Sequence, residues 1–318
     1  MKHFDCAFIG DVNPDIVLTG DAMPVPGREI FCGDFYLTLG GSTSICAGAF
    51  SSLGGSGVFF GRAGCDRMGQ FALEALRECG VDVSGVKTLA GTHSPVTVSF
   101  GTPDDRALVT YPGTCGLVDE SDIPVDEILS SARHIHIGSF FLQHHLAGIF
   151  AGIFEAAGRA GITTSLDAGW DPEEKWDPTL FELLRFTDIF FPNESEAIAV
   201  TKEPAAEPAA RRLAEFCRIA VVKRGSKGSF LSSEGTNLEC PIYDARKGKD
   251  FTGAGDSYNA GFLCAFLSGM PLAYCMKYGS AAAALRISAD RRTRPFASLP
   301  EVKAVVTEDT ERGCPNFR

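Results

Sequence analysis

Apolar and polar positions along this chain fall into two rhythms. Short apolar runs at Cys6–Ile9 and near residues 58–60, 134–138, 162–167, 188–191 and 219–223 are too brief for helices and read as buried strands. Between them lie longer stretches with helical spacing, such as Thr43 to Leu53, ended by Gly54-Gly55, and Met68 to Cys79, ended by Gly80. This β/α alternation predicts an α/β fold, a parallel sheet with helices on both faces and right-handed crossovers. Two segments break the rhythm. Residues 12–39 carry β-type residues without a helix, and in 92–114 Val96, Val98 and Phe100, then Leu108, Val109 and Tyr111, alternate around a TPDDR connection. The two are predicted to pair as a small sheet beside a large domain made of 1–11, 40–91 and 115–318.

Composition narrows the setting. Of 318 residues, 45% are hydrophobic and 22% charged, which suits a packed core rather than disorder. A net charge of −11, from 29 basic against 40 acidic residues, argues against broad binding to nucleic acid or to an anionic membrane. Any phosphate is therefore bound locally. The 11 cysteines are scattered with no Cys-x-x-Cys pair, as expected of reduced thiols in a cytoplasmic protein. The opening MKHFDCAFIGDVN leads into a strand without a signal-like apolar region, and no 18-residue apolar stretch follows, so neither secretion nor a membrane span is expected. The six histidines lack zinc-ligand spacing.

The candidate chemistry centres on Asp250-Phe251-Thr252-Gly253-Ala254-Gly255-Asp256-Ser257, ahead of an apolar helical run. Two glycines let an anion approach the backbone, and the helix behind them offers free N–H groups and its positive dipole end. A carboxylate at such a place is wasteful unless it works, and Asp256 suits a base that takes a hydroxyl proton during phosphoryl transfer. As a helix cap alone the stretch would be ordinary. After the first strand, Asp11, Asn13 and Asp15 offer acceptors and an amide to the hydroxyls of a polyol; an Asx turn before Pro14 is the plainer alternative. Gly40-Gly41 opens a second loop-to-helix joint where backbone can approach a ligand. Asn193 and Glu196 follow the strand ending at Phe191 and can hold the water shell of Mg²⁺, or merely start a helix. Lys223, Gly225 and Gly228 form a glycine turn with cations that suits a polyphosphate. A Walker-type loop at Gly64 to Gly69 fails, because Gln70-Phe71 stand where Lys and Ser or Thr are needed, and Gly253-x-Gly255 lacks the third glycine of a dinucleotide site.

In order, GDVNPD, MPVPGRE, LGGSTS, GRAGCDRMG, GVDVSGV, PNESEA, VVKRGSKGS and DFTGAGDSYNAGF resemble the landmarks of the ribokinase or PfkB carbohydrate kinases over nearly the whole chain. That resemblance implies a ribokinase-like fold, with 12–39 and 92–114 as a β-sheet lid over the substrate site. It implies transfer of the γ-phosphoryl group of ATP to a sugar or sugar-acid hydroxyl, with Asp256 as base and Gly253, Ala254 and Gly255 as anion hole. It also implies Mg²⁺ held through water by Asn193 and Glu196, and nucleotide contacts from Asn193, Lys223, Gly225, Gly228, Thr252, Gly253 and Gly255. Substrate contacts fall on Asp11, Asn13, Asp15, Gly40, Gly41 and position 45. Asp250 and Thr252 adjoin the place where many relatives hold K⁺, and lids of this kind often join two subunits. Ile45 stands where ribokinase-like sequences carry Asn and Ser42 where they carry Lys, so ribose itself fits poorly. Two other readings share the scaffold: a nucleoside kinase with Ile45, Phe31, Phe35 and Phe100 against a base, and a non-catalytic sugar- or nucleotide-binding protein.

Overall fold

The computed structural model describes residues 2–102, 106–244 and 251–311. Its strands are β1 (Cys6–Ile9), β2 (Asn13–Thr19), β3 (Asp34–Gly40), β4 (Gly57–Gly64), β5 (Asp82–Leu89), β6 (Val96–Gly101), β7 (Arg106–Tyr111), β8 (His134–Ile137), β9 (Thr163–Leu166), β10 (Ile189–Phe190), β11 (Ile219–Lys223), β12 (Ser229–Ser233) and β13 (Thr236–Cys240). Its helices are α1 (Ser42–Ser52), α2 (Arg67–Glu78), α3 (Val125–Ser131), α4 (Ala147–Arg159), α5 (Thr179–Leu184), α6 (Glu194–Thr201), α7 (Ala206–Leu213), α8 (Ala254–Leu267), α9 (Leu272–Ser288) and α10 (Leu299–Glu311).

Nine strands form the main sheet in the order β13-β12-β11-β10-β9-β8-β1-β4-β5. From β11 to β5 every neighbouring pair is parallel, while β12 and β13 add an antiparallel edge. The parallel strands are apolar on both faces because helices cover both. Thus Phe8, Phe59 and Phe191 belong to the core under α1 and α8, while Ile9, Phe60 and Phe190 belong to the core on the opposite face.

The α/β architecture expected from the alternation is present, with three differences. Strands β5, β12 and β13 have no counterpart in the apolar runs: β5 and β13 are half-exposed edges, and β12, though buried, is largely serine. Strand β4 runs on through Gly61-Arg62-Ala63-Gly64, which reads as a loop; Gly61 is needed there because a Cβ would lie 2.6 Å from the carbonyl oxygen of Gly10. Finally, Asn13-Pro14-Asp15 is extended backbone inside β2 and not an Asx turn. The middle of TPDDR, residues 103–105, lies outside the described residues.

Segments 12–39 and 92–114 together supply the second sheet, ordered β3-β2-β6-β7. The register gives the two faces different character. One carries Asn13, Asp15, Thr38, Thr97 and Ser99, with Val17, Tyr36 and Leu108 beside them; the other carries Ile16, Leu18, Phe35, Leu37, Val98, Phe100 and Val109. Phe35 is 61% and Val109 71% exposed on that apolar face.

The helix that ends the main core, α8, is pinned from three directions. Phe262 meets Phe191 at the end of β10 edge-on, with ring centroids 5.2 Å apart. The Tyr258 hydroxyl bonds Ser229 Oγ at 2.8 Å. Against α9 the backbone itself is the contact surface: a Cβ on Gly261 would stand 2.5 Å from the Tyr278 carbonyl oxygen. The start of α8 is therefore held in a fixed place relative to the sheet.

Candidate active site

The sheet order reverses between β1 and β8, so a crevice opens at the carboxyl ends of these strands, where open α/β sheets take their ligands. Gly10-Asp11 leaves one lip and Gly138-Ser139 the other. Ser139 adopts φ 52°, a left-handed conformation uncommon for a side-chain-bearing residue, and it is buried.

Asp11, expected to meet substrate hydroxyls, is engaged with the start of α1. Its Oδ1 accepts from the Thr43 amide at 3.1 Å and the Thr43 hydroxyl at 2.6 Å, and its Oδ2 accepts from the Ser42 amide at 3.0 Å. It caps α1 from across the crevice, since Gly41, the residue before that helix, has no side chain to do so. Asn13 and Asp15 remain together on the polar face of the small sheet: Asn13 Nδ2 donates to Asp15 Oδ1 at 3.2 Å and to Thr97 Oγ1 at 3.3 Å. Asp15 lies directly on Gly40, and Asn13 Oδ1 on Gly41, where a Cβ would come within 1.8 Å and 2.6 Å respectively. Ile45 is 2% exposed, part of the apolar core, and its Cγ2 lies 3.1 Å from the position a Cβ on Gly253 would take. It underlies the anion loop.

That loop turns at Gly253, φ 77°, into the first turn of α8. The expected trio of donors is altered in one member: the Ala254 amide is already donated to the Phe251 carbonyl at 3.1 Å. The amides of Gly253, Gly255 and Asp256 have no acceptor among the described residues. Asp256 Oδ1 accepts from the Ser42 hydroxyl at 2.5 Å, which joins the two loop-to-helix joints. Burial and the negative charge of Asp167 push the Asp256 carboxyl up to about 7, against the opposing pull of Lys223 and Ser42.

Lys223, expected to serve a polyphosphate at the glycine turn, is engaged in a buried ion pair. Its Nζ reaches Asp167 Oδ2 at 2.7 Å and Asn259 Oδ1 at 3.2 Å, and lies 3.5 Å from where a Cβ on Gly255 would stand. The ammonium supports the underside of the anion loop. Burial alone would discharge it, but Asp167, Glu196 and Asp256 hold its pKa above the ordinary lysine value. Asp167, at the end of β9, also accepts from Asn259 Nδ2 at 2.6 Å, and its carboxyl is kept below the usual range by Lys223 despite burial. Sequence reasoning singled out neither Asp167 nor Asn259. Only the strand-end position of Asp167 and the place of Asn259 one turn into α8 hinted at them.

Gly225 and Gly228 both have positive φ, 56° and 81°, around a single 3₁₀ turn, with Arg224 N donating to the Gly228 carbonyl at 2.7 Å. Asn193 and Glu196 close on each other at the start of α6. The Asn193 amide donates to Glu196 Oε2 at 2.9 Å, Asn193 Nδ2 to Oε1 at 2.6 Å, and Glu196 N to Asn193 Oδ1 at 2.9 Å. This is a reciprocal capping box. Burial and the charge of Asp167 push Glu196 up to about 7 as well. No group of three or more His, Cys, Asp or Glu among the described residues is arranged to bind a metal directly. Asp250 lies outside the described residues. No helix among them is long and apolar enough to cross a membrane.

The architecture, a mostly parallel nine-stranded sheet with a small four-stranded sheet beside it, defines an α/β protein of ribokinase-like fold. The chain belongs to the pfkB family of carbohydrate kinases, since the family pattern described as "pfkB family carbohydrate kinase" matches residues 4–295. It is similar to the ribokinase of Arabidopsis thaliana, 28% identical over 308 residues covering 94% of this chain and 79% of that protein. It is also similar to the ATP-dependent ribose-1-phosphate kinase of Halopiger xanaduensis, 29% identical with coverage of 87% and 89%. The structure of the Arabidopsis ribokinase complexed with ribose and ATP superposes with TM-score 0.80 at 23% identity, covering 96% of this chain and 99% of that one. Kinases of this family take their phosphoryl group from ATP.

Two carboxyls with pKa values raised to about 7 fix the sign of a pH effect on stability. Between the unfolded values near 4 and about 7 the folded chain binds the extra protons, so stability falls as pH rises through that window. Asp256→Asn removes one of these charges and keeps an acceptor for Ser42. Its Tm should exceed that of the parent at pH 8, with the difference shrinking toward pH 5; calorimetric scans at both pH values read this, and a lower Tm at pH 8 would contradict the raised pKa.

Proposed function

We propose that this enzyme transfers the γ-phosphoryl group of ATP to a hydroxyl of a sugar or sugar acid, with Asp256 as the base. The observation that carries this reading is the pairing of Asp256, poised near neutrality, with amides at the same helix start that have no acceptor among the described residues. A base is most useful when its pKa lies near the working pH. In the reaction the acceptor oxygen forms its bond to the γ-phosphorus as the bond to the ADP oxygen breaks, and the acceptor proton passes to Asp256. The amides of Gly253, Gly255 and Asp256 face the charge on the transferring group, and Lys223 stiffens their loop from below.

The lid reading, with 12–39 and 92–114 over the substrate, is supported by the side of the small sheet that bears Asn13, Asp15 and Thr97. Its polar face meets Gly40 and Gly41, and it offers both donors and acceptors to a polyol. The aromatic wall of a nucleoside site finds less support, because Phe35 and Phe100 lie on the opposite, apolar face. That apolar face, with Phe35 and Val109 uncovered, suits pairing with a second copy of the chain.

Mg²⁺ fits the charge balance of the site, in which Asp167, Glu196 and Asp256 outnumber Lys223. Asn193 and Glu196 would hold its water shell, and the ion would supply countercharge to the phosphates. Gly225 and Gly228, with Thr252, would line the nucleotide.

ADP release measured over a panel of sugars and sugar acids identifies the acceptor. With it, Asp256→Asn should lower kcat by about 10² to 10⁴ while leaving ATP affinity nearly unchanged; near-parental turnover would remove Asp256 as base. Glu196→Gln should raise the Mg²⁺ concentration for half-maximal rate, and an identical titration would leave Glu196 as a helix cap only. Val109→Asp should convert a dimer to monomer in sedimentation velocity, and a parent that already sediments as a monomer ends the lid-pairing proposal.

A further inference from the structure

Arg286, in the last turn of α9, is the largest fully buried side chain among the described residues. A buried guanidinium is costly unless it is held by acceptors on several sides. Here it is held against the anion loop. Nε donates to the Thr252 carbonyl at 3.4 Å, Nη1 donates to the Pro295 carbonyl at 2.7 Å, and the guanidinium carbon lies 4.8 Å from the centre of the Phe296 ring. Its Nε and Nη2 are each 3.1 Å from the place a Cβ on Gly253 would occupy. A side chain at 253 would press on the guanidinium, and φ 77° already favours glycine there.

This position bears on K⁺, which the resemblance to ribokinase-like sequences places beside Asp250 and Thr252, of which only Thr252 is among the described residues. A bound monovalent cation needs carbonyl oxygens directed into a space of its own. The Thr252 carbonyl is directed at a guanidinium, and a second cation beside it would be repelled at close range in a poorly screened interior. Thr252 does not fit K⁺. We infer that Arg286 is a resident cation and a positioning residue of the anion loop, and that nucleotide binding there needs no monovalent cation at the Thr252 carbonyl. Its planar fork fixes Thr252 and Gly253 from behind, so the Gly255 and Asp256 amides stay aimed at the phosphate whatever salt is present.

The inference rests on the loop being the phosphate cradle, and the test separates the two. Calorimetry measures binding of Mg²⁺ with AMP-PNP, a non-hydrolysable ATP analogue, in KCl and in tetramethylammonium chloride at equal ionic strength. Equal affinities are expected; a gain of about tenfold or more with K⁺, equivalent to about 1.4 kcal/mol, overturns the inference. In RbCl-soaked crystals, anomalous density against the Thr252 carbonyl of the parent enzyme would overturn it as well, and none is expected. Arg286→Ala should lose about tenfold in AMP-PNP affinity, the worth of one charged hydrogen bond, and regain part of it with added guanidinium. A loss without rescue would mean that Arg286 only fills space, and if this variant does not fold the parent's two measurements still decide. Failure of AMP-PNP to bind in either salt would overturn the cradle, while the rubidium map would still read the cation position.

Discussion

One ammonium group facing three carboxylates sets the conditions for everything around the crevice. Lys223 comes from β11, Asp167 from the end of β9, Glu196 from the start of α6 and Asp256 from the start of α8. A single positive charge cannot satisfy all three acids in a buried space. Asp167 takes the direct ion pair at 2.7 Å and stays charged, so the deficit falls on Glu196 and Asp256, whose carboxyls are driven toward neutrality. The imbalance is useful. On the proposed reading it leaves a proton acceptor tuned to the physiological range and a negative site that a divalent ion would fill. An added lysine would settle the charge and spoil the tuning.

The parts of this arrangement legible in the chain were those written locally. Gly253 and Asp256 announce a turn and a charged helix start within a few residues, because turn chemistry is short-range. The capping box of Asn193 and Glu196 is equally local. Asp167, Asn259 and Arg286 were not legible, since their partners lie far along the chain and no period marks them. Asp11 shows a third case. Its residue type at a strand end was read, but a carboxylate looks the same whether it awaits a hydroxyl or caps a helix that begins about thirty residues later. At the level of the fold, strands buried on both faces declared themselves as apolar runs. The edges β5 and β13 and the serine-rich β12 did not, and glycine disguised the second half of β4 as a loop.

The small sheet divides its labour by the pleat. Because successive side chains point to opposite faces, Asp15 and Ile16, adjacent in sequence, serve different surroundings: one meets the glycine pair at the crevice, the other an apolar surface. A slip of one residue in the register of β2 would exchange the two surfaces wholesale. Antiparallel pairing over the whole of β2 and β3 guards against it.

The close approach of α8 and α9, made possible by Gly261, divides the molecule into a part that cannot give and a part that can. Helices packed backbone to backbone have no side-chain cushion through which to accommodate a change, so the phosphate chemistry is intolerant of drift. The small sheet packs β2 and β3 on α2 but leaves its far strand β7 exposed. On the proposed reading, new acceptors can be explored by altering four strands at the rim while the half that would handle phosphate is inherited unchanged. A single scaffold can in this way diversify its substrates without reinventing its reaction.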